Sequence, residues 1–267
     1  MNEVIQALKK IRKEFKGKVG ENVGIIIGED WLHKSKTKIK KCIISARLTR
    51  KAVATAAKED VQLIITIFPP IFTQGSQRKI SKEHLDLLKI LLKKNISVYS
   101  LGEEWLIIEN GGFDYLLNLL DFQYTSPLVI EYQNQHKKNE KKTGRLGERK
   151  KKISYSELLE LLKQHISNDL RYLGYNQAKV QKIAFFYEIK NELMEIVNKL
   201  NLDAILVGET TYEGLLTAQL QKIPIVILEK RNLENTVLAY IIRRLMEEVA
   251  VELPELITLK QDQIGTS

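Results

Sequence analysis

The sequence predicts an α/β protein whose sheets are mostly parallel. Short apolar runs typical of buried strands, such as 63–67, alternate with stretches such as 82–93, in which leucines recur at helical spacing. Strands that alternate with helices are joined by crossovers, so they pair in parallel and the helices cover the sheet. Apolar residues make up 44% of the 267 residues, which is enough to build cores of this kind.

The first half of the chain predicts a regular order of elements. A helix at 4–15 has apolar residues one helical turn apart, and glycines follow it. The elements predicted next are strands at 23–27 and 42–45, a helix at 47–58, a strand at 63–67, a helix at 82–93, a strand at 96–99 and a helix at 113–120.

The pattern changes near Pro127. A short strand is predicted at 128–130, and the polar segment 133–152 has no apolar periodicity, which predicts a long basic loop. Beyond it we predict a helix at 155–164, strands at 182–186, 204–207 and 224–228, and helices at 191–200, 212–221 and 233–247. The tail after Pro254 is predicted to be loosely held.

Positive charge is concentrated in two segments of a chain whose formal net charge is +9. Residues 137–152 hold nine Lys or Arg against two Glu, and a second basic stretch lies at 34–41. Such segments attract polyanions, including nucleic acid, although most blocks of like charge are simply solvated. The candidate contacts to an anion or nucleic acid are Lys137, Lys138, Lys141, Lys142, Arg145, Arg149, Lys150, Lys151 and Lys152.

Cysteine and histidine are scarce. Cys42 is the only cysteine, so no internal disulfide can form, and its apolar surroundings predict a buried residue and not an activated thiolate. The four histidines are scattered, with no pair at ligand spacing. No apolar run approaches the roughly 20 residues that span a bilayer, and the amphipathic start is unlike a secretion signal. We therefore expect a cytoplasmic protein without membrane contact.

Four segments, in order, resemble the Nif-three-like dinuclear metal centre family, whose members are often described as homologues of a type two GTP cyclohydrolase I. Residues 21–28, ENVGIIIG, are similar to DNxGLxVG, and residues 61–72, VQLIITIFPPIF, to adlIItHHPlif. Residues 95–120 begin NISVYSLGEEW and are similar to nIxVYsaHTnlD followed by GGvNdyLaxxL. GRLG at 144–147 resembles GRxG, and DAILVGE at 203–209 resembles aDvxiTGE.

The resemblance implies two interlinked α/β domains, with the second inserted into the first. We therefore predict domain one at 1–126 plus 223–267, and domain two at 127–222 with its basic loop at 133–152. The resemblance also implies a toroidal hexamer, a trimer of dimers, with two divalent metal ions in each subunit.

Most ligand positions implied by the resemblance hold residues that cannot bind a metal. The paired histidines of the family fall on Ile67 and Phe68. The histidine of its HTxxD motif falls on Gly102, and the aspartate falls near Leu106. Two-metal hydrolytic sites need imidazoles and carboxylates held close together, so this half of the ligand set is lost.

The last family motif, GHxxxE, falls near residues 229–234. Its histidine position is Lys230, an ammonium that repels a cation, and only Glu234 stands where the family has a ligand. Other carboxylates could hold Mg²⁺ or Ca²⁺, although solvated glutamates are the commoner interpretation. The weak candidates for metal ligands are Glu234, Glu103, Glu104, Glu109 and Glu209.

Three functions remain open on these grounds. The leading hypothesis is a non-catalytic, oligomeric scaffold or binding protein that has lost its metal site, has no cofactor, and forms a homo-hexamer or a mixed ring with an intact relative. The second is a metal-dependent hydrolase of nucleotide-like small molecules that uses the surrogate carboxylates. The third is weak, non-specific binding of nucleic acid through the basic loop.

Overall fold

The fold was analysed in a computed structural model that describes residues 3–13, 23–34, 39–70, 73–74, 79–134, 137–174, 178–189, 200–249 and 254–260. The helix predicted at 191–200 and the end of the one predicted at 4–15 lie outside the described residues. So do residues 35–38 of the basic stretch at 34–41. The chain forms two compact units, Met1–Trp105 with Leu238–Ser267, and Leu106–Val237.

The predicted α/β class is confirmed by two sheets with helices between their strands. The helices are α1 Glu3–Lys13, α2 Glu29–Lys34, α3 Arg50–Lys58, α4 Lys82–Lys94, α5 Gly112–Leu119, α6 Tyr155–His165, α7 Tyr212–Leu220 and α8 Lys230–Glu248, with a 3-10 turn at Glu103–Leu106. The strands are β1 Gly24–Ile27, β2 Lys41–Ser45, β3 Leu63–Thr66, β4 Thr73–Gln74, β5 Lys79–Ile80, β6 Ser97–Ser100, β7 Tyr124–Asn134, β8 Lys137–Ser154, β9 Arg171–Leu173, β10 Lys179–Ile189, β11 Ala204–Thr210, β12 Ile225–Ile227 and β13 Glu255–Leu259.

The first unit contains a five-stranded sheet in the order β1-β6-β3-β2-β13. Only the pair of β1 with β6 is antiparallel among its described pairs. Helix α3 begins where the Thr49 hydroxyl accepts a hydrogen bond from the backbone N–H of Ala52, and it packs Val53 on the strand residues Ile43 and Ile64.

Part of the tail predicted to be loosely held after Pro254 is a paired strand, Glu255–Leu259, so the prediction was wrong for these residues, while residues 261–267 lie outside the described part of the chain. Strand β13 pairs in parallel with β2, in a register that places Leu256 beside Cys42. The sequence ELITL has the β-branched and alternating residues of a strand, and pairing satisfies its backbone hydrogen bonds.

The second unit contains a six-stranded sheet in the order β7-β8-β10-β11-β12-β9. The central pairs of β10 with β11 and of β11 with β12 are parallel, while the outer pairs are antiparallel. Strand β12 lies in this second sheet, although the predicted domain one resumed at residue 223. An apolar strand such as IVI does not reveal which sheet it joins. The predicted boundaries at 126 and 222 otherwise stay a prediction.

The structure corrects the prediction that the basic segment 133–152 is a loop. Residues 133–134 and 137–148 lie in the antiparallel ladder of β7 with β8, and β8 continues to Ser154. Its register against β10 slips between Val180 and Lys182, so residues 149–152 bulge opposite Gln181. Lysine-rich strands have no apolar alternation, so periodicity could not show this one.

No helix within the described ranges combines the length and apolar character needed to cross a membrane.

Candidate functional site

The end of β3 in the first unit carries apolar bulk where the resemblance implies paired imidazoles. Ile67 is 0% exposed and Phe68 is 5% exposed. Their backbone N–H groups donate to the carbonyl oxygen of Ala46 at 3.2 and 3.0 Å, which turns both side chains into the interior. The Arg47 guanidinium lies 4.0 Å from the Phe68 ring centroid. A guanidinium over an aromatic ring offers nothing to a divalent cation.

The hydroxyls at this strand end bind the protein's own backbone. Ser100 donates to the carbonyl oxygen of Ile67 at 3.4 Å and accepts from the N–H of Gly102 at 3.2 Å. Gly102 has φ +89°, and a Cβ there would lie 2.6 Å from Cγ2 of Val23. An imidazole at position 102 would therefore need both a strained backbone and a displaced valine.

The candidate carboxylates that follow Gly102 do not assemble a site. Glu103 and Glu104 lie in the 3-10 turn, where Glu103 is exposed and Glu104 half-buried, and Glu109 is exposed. Leu106, at the position near the family's aspartate, is buried at 2%. Across the ranges that the structure describes, no three His, Cys, Asp or Glu side chains are grouped as metal ligands would be.

In the second unit, five residues form what we name the Lys230 cluster: Tyr187, Glu188, Glu209, Lys230 and Glu234. Strands β10 and β11 run parallel with Glu188 beside Glu209, so two carboxylates meet at neighbouring strand ends. The ammonium of Lys230, the first residue of α8, lies 2.6 Å from Oε2 of Glu188 and 2.5 Å from Oε2 of Glu209.

This ammonium is held firmly in its charged form. Burial alone lowers the pKa of Lys230, but the hydrogen bonds to Glu188 and Glu209 outweigh burial and raise the pKa above the ordinary value of 10.5. The Lys230 side chain is 26% exposed, against 41% for Glu188 and 62% for Glu209. A charged lysine is neither a nucleophile nor a metal ligand, so Lys230 acts here as an internal counter-ion to the two carboxylates.

The buried half of the cluster is a tyrosine–carboxylate pair. The Tyr187 hydroxyl donates to Oε1 of Glu234, which is 2% exposed and lies one helical turn after Lys230. The Lys230 ammonium is 4.9 Å from the Tyr187 ring centroid. Gly208 lets β11 approach, since a Cβ there would lie 2.6 Å from the Tyr187 carbonyl oxygen and 3.1 Å from Cγ of Lys230.

The structure brings together three of the residues that the sequence singled out, namely Lys230, Glu209 and Glu234. Sequence reasoning missed Tyr187 and Glu188, because the predicted strand ended at residue 186 while β10 continues to Ile189. The sequence does contain a signal for them. The alternation of apolar and polar residues continues through YEI at 187–189. A parallel neighbouring strand that ends VGE at 207–209 would place Glu188 beside Glu209.

Arg145 is not available to an anion, which corrects its prediction as a phosphate contact. Its side chain is 3% exposed, and Nε and Nη2 donate to the two carboxylate oxygens of Asp114, each at 2.7 Å. A buried bidentate pair of this kind is a structural element. Arg149 is also engaged, because it donates to the Leu120 carbonyl oxygen at 2.5 Å and to Asp121 at 2.8 Å.

The remaining basic candidates fall into two groups. Lys150, Lys151 and Lys152 are exposed in the bulge of β8. For Lys137, Lys138, Lys141 and Lys142 the strand is described, but their side chains lie outside the described part of the structure.

Comparison with known proteins gives a consistent result. Residues 1–262 match the family Duf34/NIF3 (NGG1p interacting factor 3). A Clostridium perfringens protein named GTP cyclohydrolase 1 type 2 homolog is 26% identical over 215 residues, which cover 79% of this chain and 78% of that protein. A protein of the same name from Streptococcus pneumoniae is 28% identical over 182 residues, covering 68% of this chain and 64% of its own.

Solved structures show the same fold. Reduced HcgD from Methanocaldococcus jannaschii superposes with a TM-score of 0.76 at 23% identity, covering 96% of this chain and 97% of that chain. A Bacillus cereus protein related to NIF3 superposes with a TM-score of 0.73 at 14% identity, covering 97% and 96%. At these identities the likeness concerns the fold alone.

Proposed function

Because the chain belongs to the Duf34/NIF3 family, we propose that it is an oligomeric scaffold or binding protein of that family whose dinuclear metal site has been dismantled. The observation that carries the proposal is the Lys230 ammonium, seated 2.5 and 2.6 Å from two carboxylates at a position that the resemblance gives to a metal-ligating histidine.

Two divalent ions do not fit the residues present. The tethered ammonium already balances one of the two negative charges of Glu188 and Glu209, and a divalent cation would meet its repulsion. In the first unit, Ile67 and Phe68 supply carbon where ligands need nitrogen or oxygen. Since the donor set does not fit, no metal-dependent reaction step is assigned to this chain. The chain would instead assemble in the cytoplasm into a homo-hexameric ring, or into a mixed ring with an intact relative.

The test is metal content measured by elemental analysis. The protein would be purified without chelator, incubated in turn with Mn²⁺, Zn²⁺ and Mg²⁺, and desalted. We expect less than about a tenth of an ion per chain, because metal binding needs a complete, deprotonated ligand set. Lys230→Met is the matched variant, and it shows whether the ammonium alone excludes the ion.

One or two tightly bound ions per wild-type chain would contradict the proposal. That result would favour the metal-dependent hydrolase, with Glu234, Glu209, Glu103, Glu104 and Glu109 as the first residues to substitute. Light scattering gives the second readout, and a mass of one chain, 30.8 kDa, would contradict the ring.

A second candidate function is supported by the bulge of β8. Three consecutive exposed lysines, Lys150, Lys151 and Lys152, form a compact positive surface that fits a phosphate backbone without base recognition. Fluorescence anisotropy with a labelled single strand would test it across a salt series. Binding should fall steeply between about 50 and 200 mM salt.

The matched variants separate a local surface from net charge. Changing all three bulge lysines to alanine should abolish binding, whereas changing the exposed Lys51, Lys82 and Lys93 removes the same charge elsewhere and should preserve it. Equal losses in both variants would reduce the effect to net charge alone and end this candidate.

A further inference from the structure

Helix α7 is apolar on both its inner and its outer face. The inner face packs Leu215 and Ala218 on the core of the second sheet. The outer face exposes 70% of Tyr212, 40% of Leu216 and 83% of Leu220. These three residues are four positions apart, so they form one stripe along the helix. We name it the α7 stripe.

Helix α4 shows why the α7 stripe differs from ordinary surface leucines. Leu85 and Leu92 on α4 are also exposed, at 44% and 55%. The 13 residues of α4 include six charged side chains, whereas the nine residues of α7 include only Glu213. The exposed leucines of α4 thus belong to a solvated, charged surface, while an uncharged stripe is typical of an interaction site.

The charges that flank the stripe indicate what covers it. Glu213 lies in the first turn of α7, Lys222 lies just past its end, and both are exposed. If α7 crosses a second copy of itself antiparallel, with Leu216 on the two-fold axis, Tyr212 meets Leu220 of the partner subunit. Glu213 then lies about 4.5 Å along the axis from Lys222 of the partner subunit, since three residues rise 1.5 Å each. The stripe is therefore complementary to itself in apolar surface and in charge.

We propose that the α7 stripe docks antiparallel on the α7 stripe of a second copy of this chain, at the centre of a two-fold interface. The inference rests on the proposed oligomeric scaffold and assigns one of its contacts. A lasting interface buries about 800 Å² on each partner, so one nine-residue helix supplies its apolar centre and flanking surfaces supply the rest.

The test is the mass of the full chain by light scattering across a concentration series. Leu220→Asp places a charge in the stripe, at the position that meets Tyr212 of the partner subunit, and, because Leu220 is 83% exposed, it leaves the fold intact. We expect its self-association to weaken at least about thirtyfold, as for an interface hot spot. Leu92→Asp makes the same change at the most exposed leucine named on α4, which is 55% exposed, and should leave the mass unchanged. Circular dichroism confirms folding of both.

A charge-reversal series tests the antiparallel geometry. Glu213→Lys and Lys222→Glu should each weaken self-association, and the double variant should restore it to within about threefold of wild type. Failure of the double variant to restore association would overturn the antiparallel pairing.

The outcomes separate this inference from the proposed function. An oligomeric wild type whose mass is unaffected by Leu220→Asp places the interface elsewhere and leaves the scaffold proposal standing. A wild type that is a single chain at every concentration overturns both.

Discussion

The strand ends in the two units differ in what stands at the positions that the family resemblance gives to metal ligands. In the first unit these positions are filled with Ile67 and Phe68, which are almost fully buried. In the second unit Lys230 forms ion pairs with Glu188 and Glu209, which remain 41% and 62% exposed. A ligand set can thus be replaced by apolar packing or by an internal counter-ion, and the two replacements have different energetic signatures.

The largest expected effect on stability comes from the apolar packing at the strand end of the first unit. Phe68→Ala should lower the free energy of unfolding by about 3–5 kcal/mol, because it leaves a cavity and removes the ring beneath Arg47. Urea unfolding measures it, and Phe68→Leu serves as the control that keeps most of the apolar volume, with a loss of about 1 kcal/mol. Similar losses for both variants would mean that packing does not hold this strand end.

The second largest effect on stability is expected at the Tyr187–Glu234 pair, the buried half of the Lys230 cluster. Tyr187→Phe removes the hydroxyl that donates to the buried Glu234 carboxylate, at an expected cost of about 2 kcal/mol. Tyr212→Phe deletes an equivalent hydroxyl from a side chain that is 70% exposed and should change stability by less than about 0.5 kcal/mol. The comparison fails if the two variants unfold at the same urea concentration.

The exposed half of the cluster should matter least for stability. Lys230→Met keeps an unbranched side chain of similar length and removes the ammonium, so the two glutamates regain water. We expect a loss of about 1 kcal/mol or less, as for other ion pairs near the surface. A loss as large as that of Phe68→Ala would show that the ion pair, and not packing, is the stronger of the two replacements.

The pH dependence of stability tests the same ion pairs of Lys230 and is the smallest of the expected effects. The folded state raises the pKa of Lys230, so the folded chain binds this proton more tightly than the unfolded chain. The stability that Lys230 contributes is therefore complete below the unfolded value near 10.5 and is lost as pH rises through the higher folded value. The difference between wild type and Lys230→Met should stay constant from pH 7 to about 10 and shrink above that. A difference that grows with pH would contradict this linkage.

The residues explain why the sequence predicted the fold better than the site. Runs such as Leu63–Ile67 are apolar enough to identify a buried strand without knowledge of its neighbours. The long ladder of β7 with β8 was missed because its lysine and polar residues carry no apolar period. The cluster was only partly found, since Glu188 and Lys230 are 42 residues apart and Glu188 comes beside Glu209 through the parallel register of β10 and β11. Arg145 was misjudged because charge alone does not reveal that Asp114 lies within 2.7 Å.

The pairing of β13 with β2 affects how the chain folds during synthesis. Glu255–Leu259 completes a sheet whose neighbouring strand, Lys41–Ser45, is made more than two hundred residues earlier. The second unit, Leu106–Val237, is contiguous and can fold as soon as it leaves the ribosome, whereas the first unit has to wait for the last strand. A nascent chain stalled before residue 255 should therefore present a finished second unit beside an open sheet edge, which chaperones recognise and proteases cut.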